Sequence, residues 1–177
     1  MKILALMGSP RKGSNTDILL DKVLEGAKTN GHNSEKIYLY NQEIGPCIAC
    51  YGCTEGELNC VQNDGMQEIY PKMDEADIII FGTPIYWFGS TGPMKNLIDR
   101  LFPYIRNNRI IGKKALLVSP STGGPRTSDL LIETLKRSLG FLKMKYIGDF
   151  ITRASSRAEI KENEEELKRA YELGVSL

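Results

Sequence analysis

Histidine is almost absent from this chain. His32 is the single one among 177 residues, which nearly excludes Ser-His-Asp chemistry, Cys-His nucleophiles and histidine-rich zinc sites. An excess of one charge sign is also missing. Lys and Arg number 23 against 22 Asp and Glu, a net charge of +1, whereas a dedicated nucleic-acid binder carries a basic excess. No apolar run approaches the roughly 18–20 residues of a membrane span, and the opening MKILALMG reads as a strand rather than a signal peptide. Cysteine is confined to one stretch, Cys47 to Cys60, which holds all four. A disulfide framework would spread its cysteines to staple distant segments. This distribution instead points to a reduced, cytoplasmic protein with one local thiol site. Linkers, repeats and low-complexity tracts are lacking too, so residues 1–177 read as one domain.

What is present is an alternation of apolar runs and amphipathic stretches. Ile3-Leu4-Ala5-Leu6-Met7, Ile78-Ile79-Ile80-Phe81-Gly82 and Ala115-Leu116-Leu117-Val118 are short and continuously apolar, the pattern of strands buried on both faces. Residues 36–40 predict a weaker strand nearer an edge, and 146–151 a fifth. Between them, Ile18, Leu19, Val23, Leu24 and Ala27 recur at helical spacing before Gly31, a helix stop. Asp64 with Gln67 resembles a capping box for a helix through Met73, and Pro93 suits the first turn of another. Residues 128–142 predict a further helix, and the charged stretch 157–173 a solvent-facing last one. Five strands alternating with helices imply an α/β fold, a parallel sheet with helices on both faces.

In such sheets ligands bind beyond the carboxyl ends of the strands. Three strand-end loops are unusual in composition. The first, Gly8-Ser9-Pro10-Arg11-Lys12-Gly13-Ser14-Asn15-Thr16, lies between a buried strand and a helix N-terminus, where free N–H groups, hydroxyls and Arg11 suit a phosphate. Gly8 and Gly13 have P-loop spacing, but Ser14-Asn15 stands where Lys-Ser/Thr would bind β/γ-phosphates and magnesium. A terminal monophosphate fits best; simple capping of the helix by Ser14, Asn15 or Thr16 is the plainer alternative. The second, residues 83–92, carries Pro84, Ile85 and the three aromatics Tyr86, Trp87 and Phe88, which suit a planar ligand or a subunit interface. The third, residues 119–125, offers Ser121, Thr122 and Gly123 for close backbone approach.

These segments resemble the flavodoxin-like NADPH-dependent FMN reductase family, and within it the iron–sulfur flavoprotein branch. Gly8-Ser9-Pro10-Arg11 with Gly13-Ser14-Asn15-Thr16, Gly82-Thr83-Pro84-Ile85-Tyr86-Trp87 and Met94-Lys95-Asn96-Leu97-Ile98-Asp99-Arg100 carry the resemblance across most of the first 124 residues. The resemblance implies a three-layer flavodoxin-like sandwich with strand order 2-1-3-4-5 and bound FMN. By the same resemblance Ser9, Arg11, Ser14, Asn15 and Thr16 would hold the ribityl phosphate. Pro84, Ile85, Tyr86, Trp87 and Phe88 would border the isoalloxazine on one side, and Ser121, Thr122 and Gly123 on the other. A homodimer or homotetramer with FMN near the interface is also implied.

The insertion at about 44–63 contains Cys47-x2-Cys50-x2-Cys53-x6-Cys60. Four thiolates at short gaps suit a [4Fe–4S] cluster, and the spacing matches the motif of the iron–sulfur branch. A Cys₄ zinc site and plain packing thiols are the alternatives. Where relatives often carry two acidic residues before Met, this chain has Asn63-Asp64-Gly65-Met66, so the geometry at the loop's exit is open. The functional expectation is an FMN-dependent oxidoreductase. It would take electrons from NAD(P)H, or from a reduced carrier such as ferredoxin, and deliver them to a small acceptor such as a flavin or quinone. No side-chain acid or base is obligatory there, because the flavin carries the chemistry. A non-catalytic flavodoxin-like electron carrier is the alternative; such carriers are usually strongly acidic, and +1 weighs against it.

Overall fold

The apolar run 3–7 becomes β1 (Lys2–Met7), and side-chain alternation sends Leu4 and Leu6 to one face and Ile3, Ala5 and Met7 to the other. In the computed structural model, which describes residues 1–57 and 59–177, β3 (Ile78–Gly82) and β4 (Lys114–Ser121) are buried on both faces in the same way. The period of two thus feeds two separate cores from one set of strands. Together with β2 (Asn33–Tyr38) and β5 (Lys145–Arg153) they form a parallel five-stranded sheet of order β2-β1-β3-β4-β5, the expected flavodoxin-like topology.

Helices α1 (Asn15–Thr29), α2 (Met66–Glu75), α3 (Gly92–Asp99), α4 (Tyr104–Asn107), α5 (Asp129–Phe141) and α6 (Glu164–Ser176) connect and follow the strands. Buried residues of α2, α3 and α5 share one core with Leu4, Leu6, Ile79 and Phe81. Those of α1 and α6 share the other with Ile3, Ala5, Ile78 and Ile80. The chain therefore has three layers.

Several expectations need correction. The charged stretch 157–173 does not make a wholly solvent-facing helix. Its 3-10 turn (Glu159–Glu162) and α6 lie on α1, with Ala170 fully buried and Gly26 and Gly174 at the contact. Two glycines let the backbones approach where side chains would keep them apart. The Asp64–Gln67 pair is not a capping box. Asp64 Oδ1 accepts from Met66 N at 3.1 Å, while the Gln67 amide turns back to donate to the Cys60 and Gln62 carbonyls at 3.0 and 2.7 Å. Finally, the loop expected at 119–125 starts later, because β4 runs on to Ser121 beside Arg153 of β5. Pro120 is tolerated there because β3 stops at Gly82, opposite Val118, and leaves no partner for the missing N–H on that side. No helix among the described residues is long and apolar enough to cross a membrane.

Candidate active site: a phosphate pocket beside a strained aromatic turn

The order β2-β1-β3 reverses direction at β1, so the loops after β1 and β3 splay apart to leave a crevice. They are tied together at its floor. Gly8 N donates to Gly82 O at 2.7 Å, and the Thr91 hydroxyl donates to Gly8 O at 2.6 Å. Gly8 packs closely here: a Cβ on it would lie 3.1 Å from Met94 and 3.2 Å from Gly82 O, so a larger residue would need these neighbours to shift by a few tenths of an ångström.

A pocket of about 140 Å³ opens between these loops. Ser9, Arg11, Ser14, Asn15 and Thr16 line it on the β1 side, Pro84, Ile85 and Tyr86 on the β3 side, and Ser121 and Thr122 at the end of β4. Trp87, Phe88 and Gly123 are not among its walls. The volume is well below the ~300–1,000 Å³ that encloses a whole drug-sized ligand, so it takes one end of a ligand and leaves the rest over the open rim.

Inside the pocket the donors are unequal. The Ser9 hydroxyl accepts from Arg11 N at 3.2 Å and keeps its own hydrogen free, whereas the Ser14 hydroxyl spends its hydrogen on Arg11 O at 2.7 Å. Gly13, at φ +68°, gives its N–H to Asp17 Oδ2 at 2.7 Å. The first N–H groups of α1 have no intrahelical partners and carry the positive end of the helix dipole. Asn15 lines the pocket while its side-chain amide is engaged elsewhere. Its amide donates to Ser156 O at 2.8 Å and accepts from Ile160 N at 3.1 Å, so the side chain faces the loop after β5.

Asp17 anchors this loop from below. Besides Gly13 N, it accepts from Lys36 Nζ at 2.5 Å and from the Tyr38 hydroxyl at 2.9 Å. Burial alone pushes its carboxyl up, but the Gly13 amide, Lys36 and Tyr38 outweigh burial and hold it below the ordinary carboxylate value.

The aromatics after β3 form a tight turn. Tyr86 N and Gly89 O, and Gly89 N and Tyr86 O, pair reciprocally at 3.0 Å, with Trp87 at φ +48° and Phe88 at φ +64° between them. Two left-handed central residues mark a type I′ turn, which normally takes Asn-Gly. Two bulky aromatics there are strained, and Trp87 is 97% exposed at the tip.

On sequence, residues 1–157 match the family described as NADPH-dependent FMN reductase. The chain belongs to that family. An iron–sulfur flavoprotein of Archaeoglobus fulgidus is 30% identical over 180 aligned positions, covering 100% of this chain and 79% of the relative. An iron–sulfur flavoprotein of Methanosarcina thermophila is 38% identical over 126 positions, covering 71% and 65%. The solved Trp repressor binding protein from Bacillus subtilis superposes with a TM-score of 0.74 at 25% identity, covering 98% of this chain and 99% of that one.

The pocket fits the phosphate end of the family's FMN. It joins a guanidinium, free hydroxyls and a helix N-terminus in a space too small for the ring system, with an aromatic turn alongside. The family motif 94–100 does its work elsewhere than in the pocket. Met94 lies under Gly8, Asn96 Nδ2 donates to Ile44 O at 2.9 Å, and Arg100 Nη1 donates to Gly45 O at 3.0 Å. The last two hold the base of the Cys-rich insertion.

Asp64, the single acid before Met66, closes the other end of that insertion. It accepts from both terminal nitrogens of Arg100, at 2.6 and 3.0 Å, and from Gly45 N at 3.0 Å. Burial works against both ions, but their pairing holds the Asp64 carboxyl below its ordinary value and raises the Arg100 guanidinium above its own. Within the loop, Cys47 and Cys50 are exposed, Cys60 is half-buried and Cys53 is buried. Burial first, then the neighbouring Cys60, Cys47 and Cys50, push the Cys53 thiol up. Donor type and number suit an iron–sulfur cluster. Among the described residues no group of three or more Cys, His, Asp or Glu is gathered to hold a metal, so the four thiols would have to draw together around one.

Two features escaped the sequence reading. One is the loop after β5, whose Ala154, Ser155, Ser156 and Arg157 complete the pocket. The rule that ligands gather at strand carboxyl ends applied to β5 as well, and its Ser-Ser-Arg composition was the available signal. The other is the Asp64–Arg100 pair, for which the sequence carries no local signal.

Proposed function

We propose that this chain is an FMN-dependent oxidoreductase that takes reducing equivalents from NAD(P)H, or from a reduced carrier such as ferredoxin, and delivers them to a small acceptor such as a flavin or quinone. The observation that carries the reading is the phosphate-sized pocket joined directly to the strained Tyr86–Gly89 turn, in a chain of the FMN reductase family. Bound FMN supplies the electron-transfer chemistry. The protein's part is to bind and orient it. Arg11, the Ser9 and Thr16 hydroxyls and the α1 N-terminus hold the phosphate. The 84–88 and 121–123 segments border the ring, with Trp87 and Phe88 reaching over the open rim. The net charge of +1 does not suit an acidic electron carrier, which favours the enzyme.

The exposed Trp87 and Phe88 are also suited to a homodimer or homotetramer contact that covers the ring. Four free thiols within one short loop suit a reducing, cytoplasmic setting. We further infer that this loop closes around an iron–sulfur cluster when iron is supplied, a reading supported by the thiolate set and by the two iron–sulfur flavoproteins named above. No step of the reaction is assigned to it.

The test is an anaerobic purification followed by absorbance, iron and acid-labile sulfide assays, sedimentation and NAD(P)H addition. A flavin spectrum bleached by NADPH and restored by a quinone is the expected result. A colourless chain that cannot be reconstituted with FMN overturns the reading. Flavin without iron or sulfide overturns the cluster alone, and bleaching only by reduced ferredoxin replaces the nicotinamide donor with a protein one.

A further inference from the structure

Ala154, Ser155, Ser156 and Arg157 line the same pocket as Ser9 and Arg11. We propose that Arg157 is a second guanidinium on the phosphate bound there, and that Asn15 is the positioning residue that holds it in reach. The inference rests on the flavin reading and adds to it a binding residue from the loop after β5.

The loop is pinned by side chains that engage its backbone groups. Asn15, on the first turn of α1, reaches across to donate to Ser156 O at 2.8 Å and accept from Ile160 N at 3.1 Å. Both polar ends of the amide are thus spent on one loop. The Glu159 carboxylate takes the Ser155 and Ser156 N–H groups at 2.7 Å each. These two amides form a small anion nest, but an internal carboxylate already fills it, which holds Glu159 below its ordinary value. The N–H groups of Ala154, which donates to Ser121 O, and of Ser155 and Ser156 are therefore spent inside the protein. Of the side chains this wall presents to a ligand, Arg157 is the charged one.

Charge balance points the same way. A phosphate monoester carries about −1.5 to −2 at pH 7, and Arg11 is the single cation of the β1 loop lining the pocket. Glu159 adds a further negative charge close by. A second guanidinium offsets that excess, and Arg157 is exposed and forms no salt bridge among the described residues. A charge-assisted bond to phosphate oxygen is among the stronger polar contacts available. The αL conformation of Ala158, φ +61°, makes the chain reverse just after Arg157. The clamp and the reversal together fix where the guanidinium starts.

Fluorescence titrations with FMN and with riboflavin, which lacks the phosphate, test the proposal on the full chain. R157A is expected to weaken FMN about tenfold and leave riboflavin unchanged, with R157K restoring part of the loss. N15A is expected to weaken FMN by a smaller factor. The double variant should be no weaker than R157A alone, because Asn15 acts through Arg157. Unaltered FMN affinity in R157A, or an equal loss of riboflavin, overturns the role of Arg157. Additive losses in the double variant overturn the positioning role of Asn15. A wild-type chain that binds neither flavin overturns the flavin reading and this inference with it, which separates the two failures.

Discussion

Gly26 of α1 and Gly174 of α6 sit against each other's helix backbone: a Cβ added to Gly26 would lie 2.0 Å from Tyr171 O, and one added to Gly174 would lie 1.9 Å from Val23 O. Backbone carbonyls cannot swing aside as a flexible side-chain end can. Each glycine is therefore required by its neighbour rather than by its own φ. G26A or G174A should force the helices apart and cost about 3 kcal/mol, the upper end of overpacking penalties. A fall in Tm of about 6–12 °C is expected for a domain of this size. Calorimetry on either variant checks it, and a neutral result would mean that α6 is free to shift on α1.

Asp17 predicts a pH dependence. Its folded carboxyl lies below the ordinary value of 3.8 because Gly13 N–H, Lys36 and Tyr38 favour the anion over the opposing effect of burial. The unfolded chain therefore binds the proton first as pH falls. The stability contributed by Asp17 is complete above about pH 4 and is lost as pH drops through the folded value. D17N should lower stability at neutral pH and flatten the decline below pH 4. The flattening is partial, because the Asp64 carboxyl is depressed in the same direction. Urea unfolding of both proteins at intervals from pH 7 to about pH 2 measures the difference in slope.

How far the sequence could be read depends on whether the signal is local. The strands β1, β3 and β4 announce themselves because burial on both faces demands a continuous apolar run. The first loop announces itself because a helix N-terminus needs a particular set of residues in a row. Asn15 is visible as a site residue, but its partners Ser156 and Ile160 lie far along the chain. Nothing near it in sequence says that its amide clamps another loop. The glycine pair is hidden for the same reason: Gly174 directly follows the charged stretch 157–173, whose composition suggests solvent, and only the crossing with α1 gives it meaning. The composition around Ser121 suggests a loop, but strand ends are set by the neighbouring strand, here β5, rather than by local propensity.

The Asp64–Arg100 pair supports a prediction about the cysteines. The Arg100 side chain is 1% exposed and that of Asp64 16%, so removing one partner leaves the other charge largely buried. D64A should cost about 3–5 kcal/mol, as for other broken buried pairs. It also frees Gly45 N, one of the contacts at the base of the Cys-rich insertion. The buried Cys53 should then react with a thiol reagent at a rate approaching that of the exposed Cys47 and Cys50. Timed thiol labelling read by mass spectrometry of the peptides checks this. Unchanged protection of Cys53 in a folded D64A protein would show that the loop is held without the ion pair.

The Trp87–Phe88 turn sets stability against binding. Left-handed backbone costs an L-residue roughly 1–2 kcal/mol, and here two successive aromatics adopt it. Asn-Gly is the pair this turn geometry favours. W87N/F88G should therefore raise stability by about 1–2 kcal/mol, seen as an upward shift in urea midpoint with the m-value unchanged. The same variant removes the two exposed rings that follow Tyr86, a wall residue of the pocket, and that the flavin reading sets against the ring system. It should bind FMN less tightly and turn over a quinone with a higher KM, while the phosphate pocket below remains intact. Inorganic phosphate provides the control: as a competitor against FMN it should bind the variant and the parent chain equally well. A variant that gains stability with no loss of flavin affinity would assign the strained turn to subunit contact alone, and sedimentation of the same sample would then show a weakened oligomer.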